Sequence, residues 1–373
     1  MATENSPRVC RVIPTHPSAV APGAGLPAFY LSYYLLFPTL HVVRKVPLEY
    51  RPRSLPGHVS ILPVSYPDFA LGNRKGMARM FLAVAKMLFN FVFFMKSIPA
   101  MLKFRPTIVH THTAIPLFHG IFGKYILKAR WIMTIHGSDF LEVRRNRLLQ
   151  KVVGRVDTLC YVSERMGDEL RQLFPALAML HTPSGVNLDL FTDHGLPRLP
   201  QVVMVGRLSW QKGYSFAIQA FARFLKAHPH WRLVILGEGD ERKAMESQIT
   251  GLGLDRQVNL LGNCSQETVA DILQQSSIFL LTSITEGFPK VLLEASACGT
   301  PVVATDVGDC REVSNTAGIT VPSQNIEAIA EALTRLADDP DFQRECAARG
   351  KKIVENYRWE NVAGLVARIY ESS

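Results

Sequence analysis

Apolar residues come in short runs along this chain, and most runs end at a glycine, a histidine or a turn before a helical pattern begins. The run Ile278 to Leu281 predicts a strand. Glu286-Gly287 breaks it, Pro289 stands where a first helical residue would, and Val291, Leu292 and Ala295 follow at helical spacing. The same reading predicts strands at Val9 to Ile13, Val59 to Val64, Thr107 to Thr111, Trp131 to Ile135 and Thr158 to Val162. Helices are expected at Pro116 to Lys128, Arg144 to Val153 and Glu164 to Leu173. After a turn-rich stretch from Pro183 to Pro200 a second set begins, with strands at Val202 to Val205, Leu233 to Leu236, Val258 to Leu261 and Pro301 to Ala304. Its helices are expected at Tyr214 to Ala227 and Gln266 to Gln274, and near Ile326 to Ala337, Phe342 to Val354 and Trp359 to Tyr370. Strand and helix in repeated alternation predict an α/β protein of two doubly wound parallel sheets.

One stretch departs from this pattern. Met80 to Met95 is almost wholly apolar, yet Lys86 and Asn90 interrupt it and it falls short of the roughly 20 residues that span a bilayer, so a transmembrane helix is not expected. Lys75, Arg79, Lys86, Asn90 and Ser97 follow one another at spacings of four, seven, four and seven, which makes one narrow polar stripe on an apolar helix. Such a helix can lie in an anionic membrane interface, or it can pack on the first domain and leave a basic edge. From Phe69 to Ser138 there is no Asp or Glu, while Arg74, Lys75, Arg79, Lys86, Lys96, Lys103, Arg105, Lys124, Lys128 and Arg130 are basic. That imbalance favours an anionic membrane surface as the partner of residues 74–105.

Composition bounds the rest. The 373 residues, 47% hydrophobic and 20% charged, suit a globular protein with room for two cores. Residues 1–200 carry 24 Lys and Arg against 11 Asp and Glu, and residues 201–373 carry 17 against 21, so the net charge of +9 resides in the first half. Six cysteines without a C-x-x-C pair argue against a disulfide framework or a zinc site and fit a reducing compartment. Prolines at 7, 14, 17 and 22 break the first 22 residues, so no signal peptide is expected and the default is a cytoplasmic protein.

Candidate chemistry sits where strands end, because ligands of open α/β sheets bind beyond the carboxyl ends of strands. His110, His112, His136, Gly137, Ser138 and Asp139 qualify in the first half, with only one of His110 and His112 expected to face the ligand. The glycine loop Pro22-Gly23-Ala24-Gly25 follows the first strand and could approach a phosphate. In the second half, Gly206-Arg207-Leu208 leads to Lys212-Gly213 at a strand-to-helix junction, where Arg as a fork and Lys as a point charge could hold a diphosphate. Glu286 precedes the helix opened at Pro289, and Glu294 lies inside it. A helix start attracts anions, while carboxylates are strong acceptors for hydroxyls, so the combination suits a sugar carrying a phosphate. Gly237-Glu238-Gly239-Asp240 lacks the third glycine of a nicotinamide fingerprint.

These motifs, together with Gly299-Thr300-Pro301-Val302-Val303, stand in the order found in the retaining nucleotide-sugar glycosyltransferases of the GT-B fold, and the chain resembles their family-four group. The resemblance is close over residues 201–373 and looser before. It implies two facing Rossmann-like domains with a cleft between them: an acceptor-side domain (1–195), a donor-binding domain (196–355) and a last helix (356–373) crossing back. It implies that Arg207 and Lys212, beside Gly206, neutralise the donor diphosphate. Glu286 and the backbone of Gly287, Phe288 and Lys290 would hold sugar and phosphate, and Glu294 the ribose. His136 matches the histidine near the reacting sugar, and Gly23 and Gly25 the phosphate-proximal loop, although Ala24 separates glycines that are often adjacent in the family. The expected donor is a UDP-, GDP- or ADP-sugar, with no metal and no further cofactor. The expected acceptor is a lipid-linked glycan or polysaccharide at the inner face of the cytoplasmic membrane. A soluble enzyme making a small glycoside or disaccharide, and a non-catalytic sugar-nucleotide or polyanion binder, are the alternatives. No nucleic-acid reader motif is present.

Overall fold

In a computed structural model of the chain, the structure describes residues 7–13, 35, 37–44, 57–64, 77–113 and 116–372. The chain divides into two compact units, Met1–Thr182 with Ala363–Ser373, and Pro183–Val362. Residues 183–195, placed with the first domain in the sequence reading, pack within the second unit. There the Val186 amide donates to the Tyr357 carbonyl at 2.8 Å, Phe191 is buried, and Asp193 pairs with Lys351 at 2.8 Å.

Among the described residues, the first unit has strands β1 (Val9–Ile13), β2 (Thr39–Arg44), β3 (Val59–Val64), β4 (Ile108–His112), β5 (Arg130–Ile135), β6 (Thr158–Tyr161) and β7 (Met179–His181). They pair in parallel in the order β3-β2-β1-β4-β5-β6-β7. The second unit has β8 (Leu199–Val205), β9 (Arg232–Leu236), β10 (Val258–Gly262), β11 (Ser276–Leu281), β12 (Val302–Thr305) and β13 (Gly318–Val321), parallel in the order β10-β9-β8-β11-β12-β13. Both sheets reverse direction of winding once, between β1 and β4 and between β8 and β11. Such a reversal opens a crevice at the carboxyl ends of the two strands involved.

Burial on both faces explains the continuous apolar runs. In the second sheet, alternate residues serve opposite layers: Val202, Ile235, Ile278, Leu280 and Val303 face one core, and Val203, Val234, Phe279, Leu281 and Val302 the other. β2, β7 and β13 were not expected: β7 and β13 have three and four residues, and in β2 Thr39, His41 and Arg44 interrupt the apolar pattern. The helix expected over Arg144 to Val153 is two helices, Gly137–Arg145 and Arg147–Val153. Asn146 divides them in an extended conformation, its side chain accepting from the Leu148 and Leu149 amides at 3.0 and 3.2 Å.

The apolar stretch after residue 76 forms one helix, Met77–Phe104. Its orientation corrects the expected polar stripe. Ser97 is fully buried, its hydroxyl satisfied by the Phe94 carbonyl at 2.7 Å, and Phe93, Phe94 and Met101 pack inward beside it. The exposed side carries Met87, Leu88, Phe91, Met95 and Leu102, with Lys96 and Lys103 among them. The residues at 74–76 lie outside the described residues. Among the described residues no helix is long and apolar enough to cross a membrane.

Candidate active site

The second unit assembles its motif residues at the β8/β11 reversal. β8 ends at Val205, and the chain turns through Gly206 and Arg207 into a short 3-10 turn, Trp210–Lys212, before the helix Tyr214–Phe224. β11 ends at Leu281, and Thr282 to Pro289 lead into the helix Lys290–Ala297. Because β8 and β11 are neighbours, the two loops leave the sheet side by side. The Thr282 hydroxyl donates to the carbonyls of Lys212 and Gly213 at 3.0 and 3.1 Å, and the Ile284 amide donates to the Gln211 carbonyl at 2.7 Å. Gly213 is required at this seam. Its φ is +62°, and a Cβ there would lie 2.2 Å from the Thr282 carbonyl oxygen.

A third loop closes on the other side. Gly308, at φ +53°, brings the turn after β12 so near that a Cβ would meet the Gly287 and Glu286 carbonyl oxygens at 2.5 and 2.6 Å. The Asp309 amide donates to the Gly287 carbonyl at 3.2 Å. The Glu286 loop is thus held from both flanks by backbone contacts.

Within this frame Lys212 Nζ and Glu286 Oε1 form an ion pair, and the Ser283 hydroxyl donates to the same Glu286 oxygen at 2.7 Å. Arg207 is exposed and has no ion-pair partner among the described residues. The amides of Gly287 and Phe288 have no acceptor among the described residues, while the Phe288 ring packs on Tyr357 at 5.4 Å between centroids. Phe288 therefore offers its backbone to a ligand and its side chain to the core. Pro289 caps the following helix in an extended conformation (φ −80°, ψ 100°) instead of forming its first turn, as had been expected. Lys290 and Glu294 lie four residues apart on that helix. Burial pushes the Glu294 carboxyl up and the Lys290 ammonium down, each opposed by the charge of the other. Two exposed or half-buried cations, one anchored carboxylate and two unpaired amides make a site for a phosphate joined to a hydroxyl-bearing group.

In the first unit His136 follows β5 directly and precedes the helix Gly137–Arg145. Its amide donates to Asp139 Oδ2 at 3.3 Å, so Asp139 acts as a helix cap. His110 and His112 share one face of β4, since residues two apart on a strand point the same way; the expectation that only one could face the ligand is corrected. The His112 ring stacks on His110 at 4.3 Å and on His136 at 6.3 Å. Burial, with Arg11 and the neighbouring histidines, drives His110 and His112 well below the ordinary imidazole range and keeps them neutral. His110 is held by Tyr370 Oη at 2.6 Å and Thr134 Oγ1 at 2.8 Å, and Arg11 Nε donates to the same tyrosine at 3.3 Å. Gly23 and Gly25 lie outside the described residues. Thr282, Ser283, Arg11 and Tyr370 were not anticipated; a hydroxyl pair between a strand end and Glu286 was the available signal for the first two. No group of three or more His, Cys, Asp or Glu among the described residues is placed to hold a metal ion.

Comparison with known proteins agrees with this geometry. A family model described as Glycosyl transferases group 1 matches residues 190–353, and one described as Glycosyltransferase Family 4 matches residues 58–190. The glycogen synthase of Mycobacterium tuberculosis is 27% identical over 287 residues, covering 72% of this chain and 69% of that protein. Sucrose-phosphate synthase from Thermosynechococcus elongatus matches in structure with a TM-score of 0.82 at 21% identity, over 97% of this chain and 98% of that one. The Anabaena protein HepE in complex with UDP-glucose matches with a TM-score of 0.77 at 16% identity, over 98% of this chain and 100% of that one. The likeness to these structures is one of fold, the two-domain α/β GT-B fold.

Proposed function

The chain belongs to the group 1 glycosyltransferases, and on that premise we propose that it moves a sugar from a nucleoside-diphosphate sugar to an acceptor hydroxyl with retention of configuration. The observation that carries the donor reading is the meeting of Arg207, Lys212 and Glu286 with the unpaired Gly287 and Phe288 amides at one reversal of strand order. Breaking the bond from the sugar to phosphate leaves negative charge on the departing diphosphate. Arg207, Lys212 and the start of the helix Lys290–Ala297 offer positive charge to that phosphate, so this reading calls for no metal. Glu286 and Glu294 serve as acceptors for donor hydroxyls, on the sugar and the ribose respectively. Retention follows from front-face attack by the acceptor hydroxyl, whose proton passes to the leaving phosphate; the family resemblance gives His136 of the first unit a part in this step.

The acceptor reading rests on the helix Met77–Phe104. Soluble proteins rarely expose a contiguous apolar face, and here Met87, Leu88, Phe91, Met95 and Leu102 form one beside Lys96 and Lys103 in a segment free of acids. An anionic lipid surface complements both features, so the acceptor is lipid-linked or presented at the inner face of the cytoplasmic membrane. The test is release of nucleoside diphosphate from UDP-glucose, GDP-mannose and ADP-glucose, with and without membrane lipid extract. Turnover of one donor, stimulated by the extract, is the expected result; no release from any of them in either condition overturns the reading.

A further inference from the structure

Glu286 Oε1 accepts two groups at once, the Lys212 ammonium and the Ser283 hydroxyl, the latter at 2.7 Å. Nothing among the described residues engages Oε2. The carboxylate is therefore divided: one oxygen turned to the protein, the other left for a ligand. Its two anchors differ in kind. Lys212 is a flexible side chain, 22% exposed, and belongs to the loop whose cations would meet a diphosphate. Ser283 is fully buried, and its own backbone is tied down, its carbonyl accepting from the Thr305 hydroxyl at 2.7 Å and the Ser323 hydroxyl at 3.2 Å. These hydroxyls come from the end of β12 and the loop after β13, so three strand ends converge on one serine.

We propose that Ser283 is the positioning residue for Glu286, keeping the carboxylate aligned on a donor-sugar hydroxyl when the diphosphate draws Lys212 away; this rests on the reading of Glu286 as a donor ligand. Lys212 and Ser283 share the work of holding Oε1. A diphosphate with two negative charges competes for the ammonium far better than one carboxylate can, and a serine hydroxyl cannot follow it. With Lys212 turned to phosphate, Ser283 alone keeps Oε1 occupied and Oε2 directed outward. A carboxylate without that anchor would swing after Lys212 and lose its alignment on the sugar. The importance of Ser283 therefore appears only when sugar and diphosphate are bound together.

The experiment is a double-mutant cycle of Ser283→Ala and Glu286→Ala, on donor turnover (kcat/KM by nucleoside diphosphate release) and on binding of the free nucleoside diphosphate by calorimetry. UDP-glucose, GDP-mannose and ADP-glucose, with their diphosphates, are the probes, and the best-used donor is carried through. Loss of a hydrogen bond to a charged group lowers kcat/KM about ten- to a hundredfold in Ser283→Ala. In the Glu286→Ala background the same change costs no more than about twofold, because there is no carboxylate left to align. Affinity for the free diphosphate stays within about twofold, and Ser283→Thr, which keeps the hydroxyl, restores turnover if it folds. Additive losses, or equal losses for diphosphate and intact donor, overturn the positioning role while leaving the donor site standing. Failure of the unmodified protein to bind or use any of the three donors removes the donor reading itself and this inference with it.

Discussion

Replacing Phe91 and Met95 together by Asp probes the exposed helix face most sharply. Both side chains are about half exposed, 43% and 49%; the covered part of Phe91 packs edge-on against Phe118 at 5.6 Å and lies 6.4 Å from Phe94. Full burial of such a side chain contributes about 1.5–3 kcal/mol, so covering the exposed half of each contributes about 1 kcal/mol. The two substitutions forfeit about 2 kcal/mol of transfer into an interface. Each new carboxylate at an anionic surface reverses an attraction worth about 1 kcal/mol per charge, so the total reaches about 4 kcal/mol. That corresponds to roughly a thousandfold weaker partitioning. The assay is co-sedimentation with vesicles containing anionic lipid, against neutral vesicles and at raised salt. The unmodified protein should bind anionic vesicles and release part of its hold as salt screens Lys96 and Lys103. The buried half of each side chain, including the contact of Phe91 with Phe118, is lost from the fold as well, so unfolding stability should fall by about 2 kcal/mol while the variant stays folded. Equal partitioning of the folded variant and the unmodified protein would show that this face does not enter lipid.

Other consequences are equally direct. Gly213→Ala places a Cβ 2.2 Å from the Thr282 carbonyl at a φ of +62°, and should cost at least about 2 kcal/mol in thermal unfolding and weaken diphosphate binding through Lys212. Tyr370→Phe removes the hydroxyl that lies 2.6 Å from His110 and 3.3 Å from Arg11, and should destabilise the first unit by about 1–3 kcal/mol, read by denaturant unfolding. Burial lowers the histidines His41, His110 and His112 well below 6.5, and His119, packed between Phe93 and Phe94, to about 3. A group held neutral in the fold but protonated when unfolded stabilises above pH 6.5, and its contribution falls as pH drops towards the folded value. Each such histidine therefore removes about 1.4 kcal/mol per pH unit below its unfolded pKa. Near-ultraviolet circular dichroism of the first unit's aromatic residues should show steep loss of structure between about pH 6 and 5, and a flat profile there would refute the buried neutral cluster.

Much of the candidate site was legible because its residues lie at strand ends inside three ordered motifs. The run before Glu286, the glycines at 206 and 213 and the helix after Pro289 each follow from local periodicity and turn chemistry. What could not be read is pairing across sequence. Lys212 and Glu286 are 74 residues apart, and Tyr370 and His110 are 260 apart. The helix Met77–Phe104 shows a different obstacle. Counting polar residues placed Ser97 on the outer stripe, but a serine can bond a carbonyl of its own helix, here Phe94, and so enter a core without penalty. Apolar residues in excess of what one helix face can bury were then left outside. β7 escaped because three residues, Met179–His181, carry too little pattern to separate from a loop.

Glu286 as a ligand of the donor sugar is the assignment on which the proposed function turns. Nucleoside diphosphate release from the best-used of UDP-glucose, GDP-mannose and ADP-glucose should fall about a hundred- to a thousandfold in Glu286→Ala, with free diphosphate still bound through Arg207 and the amides of Gly287 and Phe288. Release at the unmodified rate would contradict the assignment of this loop as the donor site.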